Sequence, residues 1–284
     1  MRYTTLISCN ELADHLYDTS FVVFDCRFEL SKPDSGFQAY QKDHIPGALY
    51  ANLDKDLSSA ITETTGRHPL PVPEVFADKL AQWGVDDTKQ VAIYDDNSGA
   101  IAARMWWMLR WAGHEAVAVL NGGYKQWQSE GRPCDGDLPH VTPVSREVLP
   151  TGDNIVDVTF VEQHLDDNNF MLVDARGKAR FTGEQEPLDK VGGHIPGAIN
   201  YPFMNNLDDK GCFKSADELR SGFNAILQEK SPASTIHSCG SGVTACHNLL
   251  AMEVAGLTGG KLFPGSWSEW ITDSNRPIEK GGQK

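Results

Sequence analysis

Short apolar runs, several rich in β-branched residues, recur along this chain, and longer stretches with helical spacing separate them. FVVFD (21–25), VAIYD (91–95) and AVAVL (116–120) in the first half have counterparts in FMLVD (170–174), STIHS (234–238) and GKLF (260–263). Such short, nearly continuous runs predict strands buried on both faces. The helical stretches between them predict a parallel sheet with helices on both faces. Gly99 to Trp111 is apolar nearly all round, so it is expected to be a buried helix. Ser266 and Glu269, three apart beside Trp267 and Trp270, read as a capping box. The fold class is α/β, written twice.

The duplication extends beyond the strands. FVVFDCRFEL and DHIPGALYANL in the first half answer FMLVDARGKAR and GGHIPGAINYPF in the second. Asp25 and Asp174 are 149 positions apart, and His44 and His194 are 150 apart. VAVLNGGYKQW and GKLFPGSWSEW correspond near the end of each half. A period this long means two copies of a whole domain. Between them, Gly131 to Gly152 holds Pro133, Pro139, Pro143 and Pro150 with little apolar periodicity, as an extended linker would. The expected division is a first domain over 1–132, a linker over 133–152 and a second domain over 153–284.

Charge and cysteine usage narrow the partners. The 284 residues carry a net charge of −14, which disfavours nucleic acid and anionic membrane. The start, MRYTTLISCNELADHL, is too polar for a secretory signal, and no apolar run approaches a membrane span. Cys9, Cys26, Cys134, Cys212, Cys239 and Cys246 are too dilute and irregular for a disulfide scaffold. Free thiols in a reducing, cytoplasmic setting are therefore expected. No metal or organic cofactor is expected.

The two copies also act as a control, because shared features are more often structural and unshared ones are candidates for chemistry. Both copies have Asp-x-Arg (Asp25 and Arg27, Asp174 and Arg176), expected to pair charges at a strand end. Both have His-Ile-Pro-Gly-Ala, so His44 and His194 read as turn anchors. The copies part at the strand STIHS, which leads into Cys239, whereas its first-half counterpart runs into Asp95 and Asp96 without a thiol.

Cys239 is followed by Gly240-Ser241-Gly242 and then by a helix expected to start near Val243 or Thr244. Glycines let the turn curl backbone N–H groups around Sγ, and the positive helix end adds to them. Both effects favour a thiolate and suit an anion or developing oxyanion. The plainer alternative is a small core residue, as most free cysteines are. Cys246 falls inside the helix, where packing is the expected role.

The HIPGA pair, the Asp-Ala-Arg strand end and CGSGVTAC together resemble the tandem-domain rhodanese sulfurtransferases across almost the whole chain. The loop Cys239-Gly240-Ser241-Gly242-Val243-Thr244 is similar to that of the 3-mercaptopyruvate sulfurtransferases in this family. The resemblance implies a catalytic second domain and an inert first copy. It implies transfer of sulfur from a small-molecule donor to Cys239 as a persulfide, then to a thiol, a thioredoxin-like protein or cyanide. Asp54, His68 and Ser241 match a proposed Asp–His–Ser relay, although His68 also reads as a turn cap before Pro69. Arg180 matches an arginine that holds the donor carboxylate, and the first copy has Ser31 at the same offset. The chain departs from the family at Leu188, where a second arginine is common, and Lys190 is the substitute at hand.

Donor choice follows from charge. Gly240 to Ala245 carries no charged side chain, whereas family members specialised for the thiosulfate dianion resemble each other in placing basic residues there. A monoanionic keto acid needs one cation and a donor at its carbonyl, which Arg180 and Ser241 supply. Mercaptopyruvate is the expected donor and thiosulfate the alternative. A phosphatase on this fold needs Cys-x5-Arg, but position 245 is alanine. A non-catalytic binding module would be expected to lack the thiol.

Overall fold

The computed structural model describes residues 2–146 and 154–282; the end of the expected linker, 147–152, lies outside the described residues. The chain forms two compact units, neither of them one continuous run. The first comprises Met1–Ser59, Leu70–Thr151 and Asp209–Phe213, and the second comprises Ala60–Pro69, Gly152–Asp208 and Lys214–Lys284. The division expected from sequence does not separate out 60–69 and 209–213.

The first unit holds β1 (Leu6–Ile7), α1 (Cys9–Asp14), β2 (Phe21–Asp25), α2 (Ser35–Lys42), β3 (Leu49–Tyr50) and α3 (Pro73–Gln82). It continues with β4 (Gln90–Tyr94), α4 (Ala102–Trp111), β5 (Val117–Leu120) and α5 (Gly123–Ser129). The strands lie in the order β1-β5-β4-β2-β3, and every pairing is parallel. Every residue of β4 and β5 is buried. Successive strand side chains point to opposite faces, so both faces of this sheet are covered. Val23, Ala92, Tyr94, Leu120 and Trp127 belong to one cluster of the core. The expected buried helix is α4, with nine of its ten residues buried. Along the described part of the linker, Asp135 bridges His44, and Val144 N–H donates to Ala81 O at 2.9 Å.

The second unit repeats the pattern with α6 (Val158–Gln163), β6 (Met171–Asp174), α7 (Lys178–Thr182), β7 (Ile199–Asn200) and α8 (Ala216–Leu227). Then follow β8 (Thr235–Ser238), α9 (Thr244–Val254), β9 (Lys261–Leu262) and α10 (Ser266–Trp270). The parallel order is β7-β6-β8-β9, and Ile155 bridges Leu262 where β1 pairs β5 in the other copy. Registers also correspond: Asp25 sits opposite Tyr94 in one sheet, and Asp174 opposite Ser238 in the other. Asp95 therefore follows its strand as Cys239 follows β8.

The shared motifs build the strand ends and turns. Arg27 Nη2 donates to Asp25 Oδ2 and Arg176 Nη2 to Asp174 Oδ2, each at 2.7 Å. His44 Nδ1 lies 2.8 Å from Tyr40 O, and His194 Nδ1 lies 2.9 Å from Phe181 O, as turn-anchoring histidines should. One expectation needs correction. Ser266 and Glu269 form no capping box; Gly265 precedes α10 without a side-chain cap, and Ser266 is the helix's first residue. Its hydroxyl is already engaged, accepting from Cys239 N and donating to Phe263 O, each at 2.9 Å. True capping boxes occur at Ser8 with Glu11 and at Ser215 with Glu218.

Candidate active site

β8 delivers Cys239 to the carboxyl end of the second sheet, where ligands bind in open parallel α/β folds. The thiol residue is buried, with 2% exposure. Its backbone is fixed from α10: Cys239 N donates to Ser266 Oγ at 2.9 Å, and Trp267 N donates to Cys239 O at 3.0 Å. Ser268 N holds the next carbonyl, that of Gly240, at 2.8 Å. The chain then turns through Gly242 at φ +73°, where a Cβ would stand 2.2 Å from Pro264 O, so only glycine fits. Val243 flanks the start of α9 and Thr244 is its first residue, as expected. Cys246 is fully buried in α9, and its Sγ donates to Gly242 O at 3.3 Å. It braces the turn from within.

The first copy shows what such a turn can gather. Asp95, at the position corresponding to Cys239, accepts backbone N–H groups from Asn97, Gly99, Ile101 and Ala102 at 2.8–2.9 Å. Burial pushes this carboxyl up in pKa, against the pull of those four donors. A strand-to-helix turn of this design converges N–H groups on one anion. The first copy satisfies that cradle with its own side chain.

Ser241 and His68 are both buried, and Ser241 Oγ lies 2.7 Å from His68 Nδ1. They are 173 residues apart but belong to the same unit, because 60–69 packs with it. Asp54 belongs to the other unit, where its side chain is exposed and its N–H donates to Asn52 Oδ1 at 2.9 Å.

Basic residues line the second unit's site. Arg180, on α7, directs Nε to both oxygens of Glu186 at 3.0 Å and Nη2 to Asp189 Oδ2 at 3.0 Å. Glu186 also accepts the N–H groups of Leu188 and Asp189 at 3.0 and 3.1 Å. Burial works against its charge, yet Arg180 and these N–H groups hold its carboxyl below the usual range. Arg176 lies 4.9 Å over the Trp267 ring. Burial disfavours its charge, but Asp174, Glu186 and Cys239 outweigh that and hold its pKa above the usual value.

Arg67 was not among the expected site residues, although it directly precedes His68. A methyl group on Gly240 would stand 2.8 Å from Arg67 Nη2 and 3.3 Å from Arg180 Nη2. Two guanidiniums thus lie against the residue next to the thiol. Arg67 Nη1 also pairs with Asp189 Oδ1. Leu188 and Lys190 are exposed on the wall of a cavity of about 370 Å³ that Arg67 and Asp189 also line. The signals for Arg67 and Asp189 were adjacency alone: one neighbours His68, the other Leu188.

Twin parallel sheets with Asp-x-Arg strand ends, one carrying a cysteine at its central strand-to-helix turn, define a tandem rhodanese-like α/β protein. The family model described as Rhodanese-like domain matches residues 8–130 and 157–273, and the chain belongs to this family. A probable 3-mercaptopyruvate sulfurtransferase of Pseudomonas aeruginosa is 41% identical over 283 residues, covering 99% of this chain and 100% of the relative. A thiosulfate sulfurtransferase of Rattus norvegicus is 33% identical, covering 95% of this chain and 92% of that protein. The solved 3-mercaptopyruvate sulfurtransferase from Leishmania major superposes with a TM-score of 0.85 at 32% identity, covering 97% of this chain and 76% of that one. Among the described residues, no helix is long and apolar enough to cross a membrane, and no group of three or more His, Cys, Asp or Glu is placed to hold a metal ion.

Proposed function

We propose that this chain is a sulfurtransferase that takes sulfur from 3-mercaptopyruvate onto Cys239 and passes it to a thiol, a thioredoxin-like protein or cyanide. The observation that carries this reading is the contrast between copies: Cys239 ends the central strand of one sheet, where the other has Asp95. In the first half-reaction the Cys239 thiolate attacks the donor sulfur. The donor C–S bond breaks, its electron pair passes to the pyruvate enolate, and protonation at carbon releases pyruvate. An acceptor thiolate or cyanide then attacks the outer sulfur and the Cys239 thiolate leaves.

Ser241, bonded to His68, is assigned the task of polarising the donor carbonyl and supplying the proton. Arg180 is assigned the donor carboxylate, with the Gly240–Thr244 turn around the reacting sulfur. A place for Asp54 in the relay rests on resemblance and is tested by Asp54→Asn turnover. In this reading the 153–284 region is catalytic, 1–132 is a copy without a nucleophile that lends His68 through 60–69, and 133–152 is the linker. Six free cysteines and a net charge of −14 support a reducing cytoplasm without nucleic acid or membrane partners.

Thiosulfate is the second reading, supported by the pair of guanidiniums at Gly240, which suits a dianion. Intact mass after incubation with each donor tests both. Gain of one sulfur atom, reversed by reductant, is expected first with mercaptopyruvate. No gain with either donor would leave only a binding module.

A further inference from the structure

Three arginines and three carboxylates crowd the second unit's site, and their pairing is uneven. Asp174 is forked by Arg176, with contacts of 2.7–3.1 Å. Glu186 is held by Arg180 Nε and two backbone N–H groups at 3.0–3.1 Å, with Arg176 Nη1 farther off at 3.5 Å. Asp189 is different. Among the described residues its carboxylate is hydrogen-bonded by guanidiniums and by no backbone N–H, Arg67 on one oxygen and Arg180 on the other. Its side chain is only 4% exposed, whereas Arg67 and Arg180 remain 27% and 22% exposed. Both cations also lie against Gly240, next to Cys239. A carboxylate held by one N–H from each of two guanidiniums beside a nucleophile has the bonding that an anionic substrate would need.

We propose that Arg67 and Arg180 form a two-guanidinium site for the oxyanion group of the sulfur donor, and that Asp189 fills this site until the donor displaces it. The proposal rests on the sulfurtransferase reading of Cys239. It makes Arg67 the second cation that Leu188 does not supply. It also makes Asp189 an internal competitor that sets donor affinity. Exchange of one carboxylate for another leaves the charge at the arginines unchanged, so no unpaired buried cation is created. The cavity of about 370 Å³ beside Asp189 gives the displaced side chain room, and Lys190 on its wall offers a new partner. Glu186, held by backbone and Arg180 together, keeps Arg180 in place throughout.

The test is calorimetric titration of the full chain with pyruvate and, separately, with sulfite, the products left when sulfur leaves mercaptopyruvate or thiosulfate. Asp189→Asn keeps the side-chain shape but removes the competing charge. It is expected to bind at least one of the two anions about tenfold more tightly, and the anion that gains more identifies the oxyanion class. Arg67→Ala is expected to weaken the same anion about tenfold, with Arg67→Lys in between. Weaker or unchanged binding by folded Asp189→Asn would overturn the competitor, since a carboxylate that merely props the arginines would be missed. Should Asp189→Asn not fold, unchanged binding by Arg67→Ala would overturn the site alone. Persulfide formation by the wild type, read from intact mass, separates the two ideas. Normal persulfide with no Asp189→Asn gain defeats this proposal only, whereas the anion titrations stand even if no persulfide forms.

Discussion

The Ser266 hydroxyl accepts the backbone N–H of Cys239 at 2.9 Å, while Ser266 itself sits at φ +53°. In the first copy the corresponding residue is Gly123, at φ +60°, and Tyr124 N reaches Asp95 O as Trp267 N reaches Cys239 O. The turn demands a left-handed residue, and glycine is the unstrained choice. Serine there costs on the order of 1–3 kcal/mol but anchors the backbone of Cys239. Ser266→Gly should therefore leave unfolding stability nearly unchanged while lowering turnover. Ser266→Ala keeps the strain and loses both hydrogen bonds, so it should cost ~1–3 kcal/mol in denaturant unfolding. Undiminished turnover in a folded Ser266→Gly protein would leave the hydroxyl without a role at Cys239.

Cys239→Ser should abolish sulfur transfer without unfolding the chain, since a hydroxyl is close in size but forms no persulfide. Cys246→Ser should keep most activity, because its thiol braces Gly242 O from inside α9. Steady-state assays of both variants decide the assignment. An essential Cys246 beside a dispensable Cys239 would reverse it.

Ser241→Ala removes the hydroxyl that lies 2.7 Å from His68 Nδ1. If this pair moves a proton during C–S cleavage, turnover with mercaptopyruvate should fall more than with thiosulfate. Equal losses would mean that Ser241 only shapes the turn.

Arg180→Ala should lower efficiency with mercaptopyruvate by roughly ten- to a hundredfold, the equivalent of a charge-assisted hydrogen bond of ~1.5–3 kcal/mol. The loss should shrink as salt rises. Leu188 is 45% exposed on the cavity wall that Arg67 lines, so Leu188→Arg should lower the Michaelis constant. A silent Arg180→Ala with a damaging Lys190→Ala would move the carboxylate to Lys190.

His237, fully buried in β8, has its pKa pushed down to about 3 by burial. The unfolded residue titrates near about 6.5, so below that pH the unfolded chain binds a proton that the folded one refuses. Stability present above about pH 6.5 should be lost as pH falls toward the folded value, by roughly 3–5 kcal/mol in total. His237→Val should flatten unfolding free energy against pH in that window. An unchanged slope would remove His237 as the cause.

The sequence by itself determined the local and periodic features. Continuous apolar runs announced β2 and β4, because strands covered on both faces need no polar alternation, whereas β8, Thr-Ile-His-Ser, was placed by its match to β4 in the repeat. The repeat announced two like sheets, and one unmatched cysteine between a strand and a glycine turn marked the proposed nucleophile. Chemistry of this kind is written in neighbours along the chain. His68 was linked to Ser241 only through resemblance, since nothing local joins residues 173 apart. Arg67 and Asp189, 122 apart, were missed for the same reason. Ser266 was misread because Ser-x-x-Glu spacing describes a helix start whatever surrounds it, whereas the structure assigns that hydroxyl to a cysteine 27 residues away. The tertiary structure also decided that 60–69 packs with the second unit, bringing Arg67 and His68 to the turn. Long-range ion pairs and backbone anchors depend on where the folded chain returns, and no periodicity along the sequence records that.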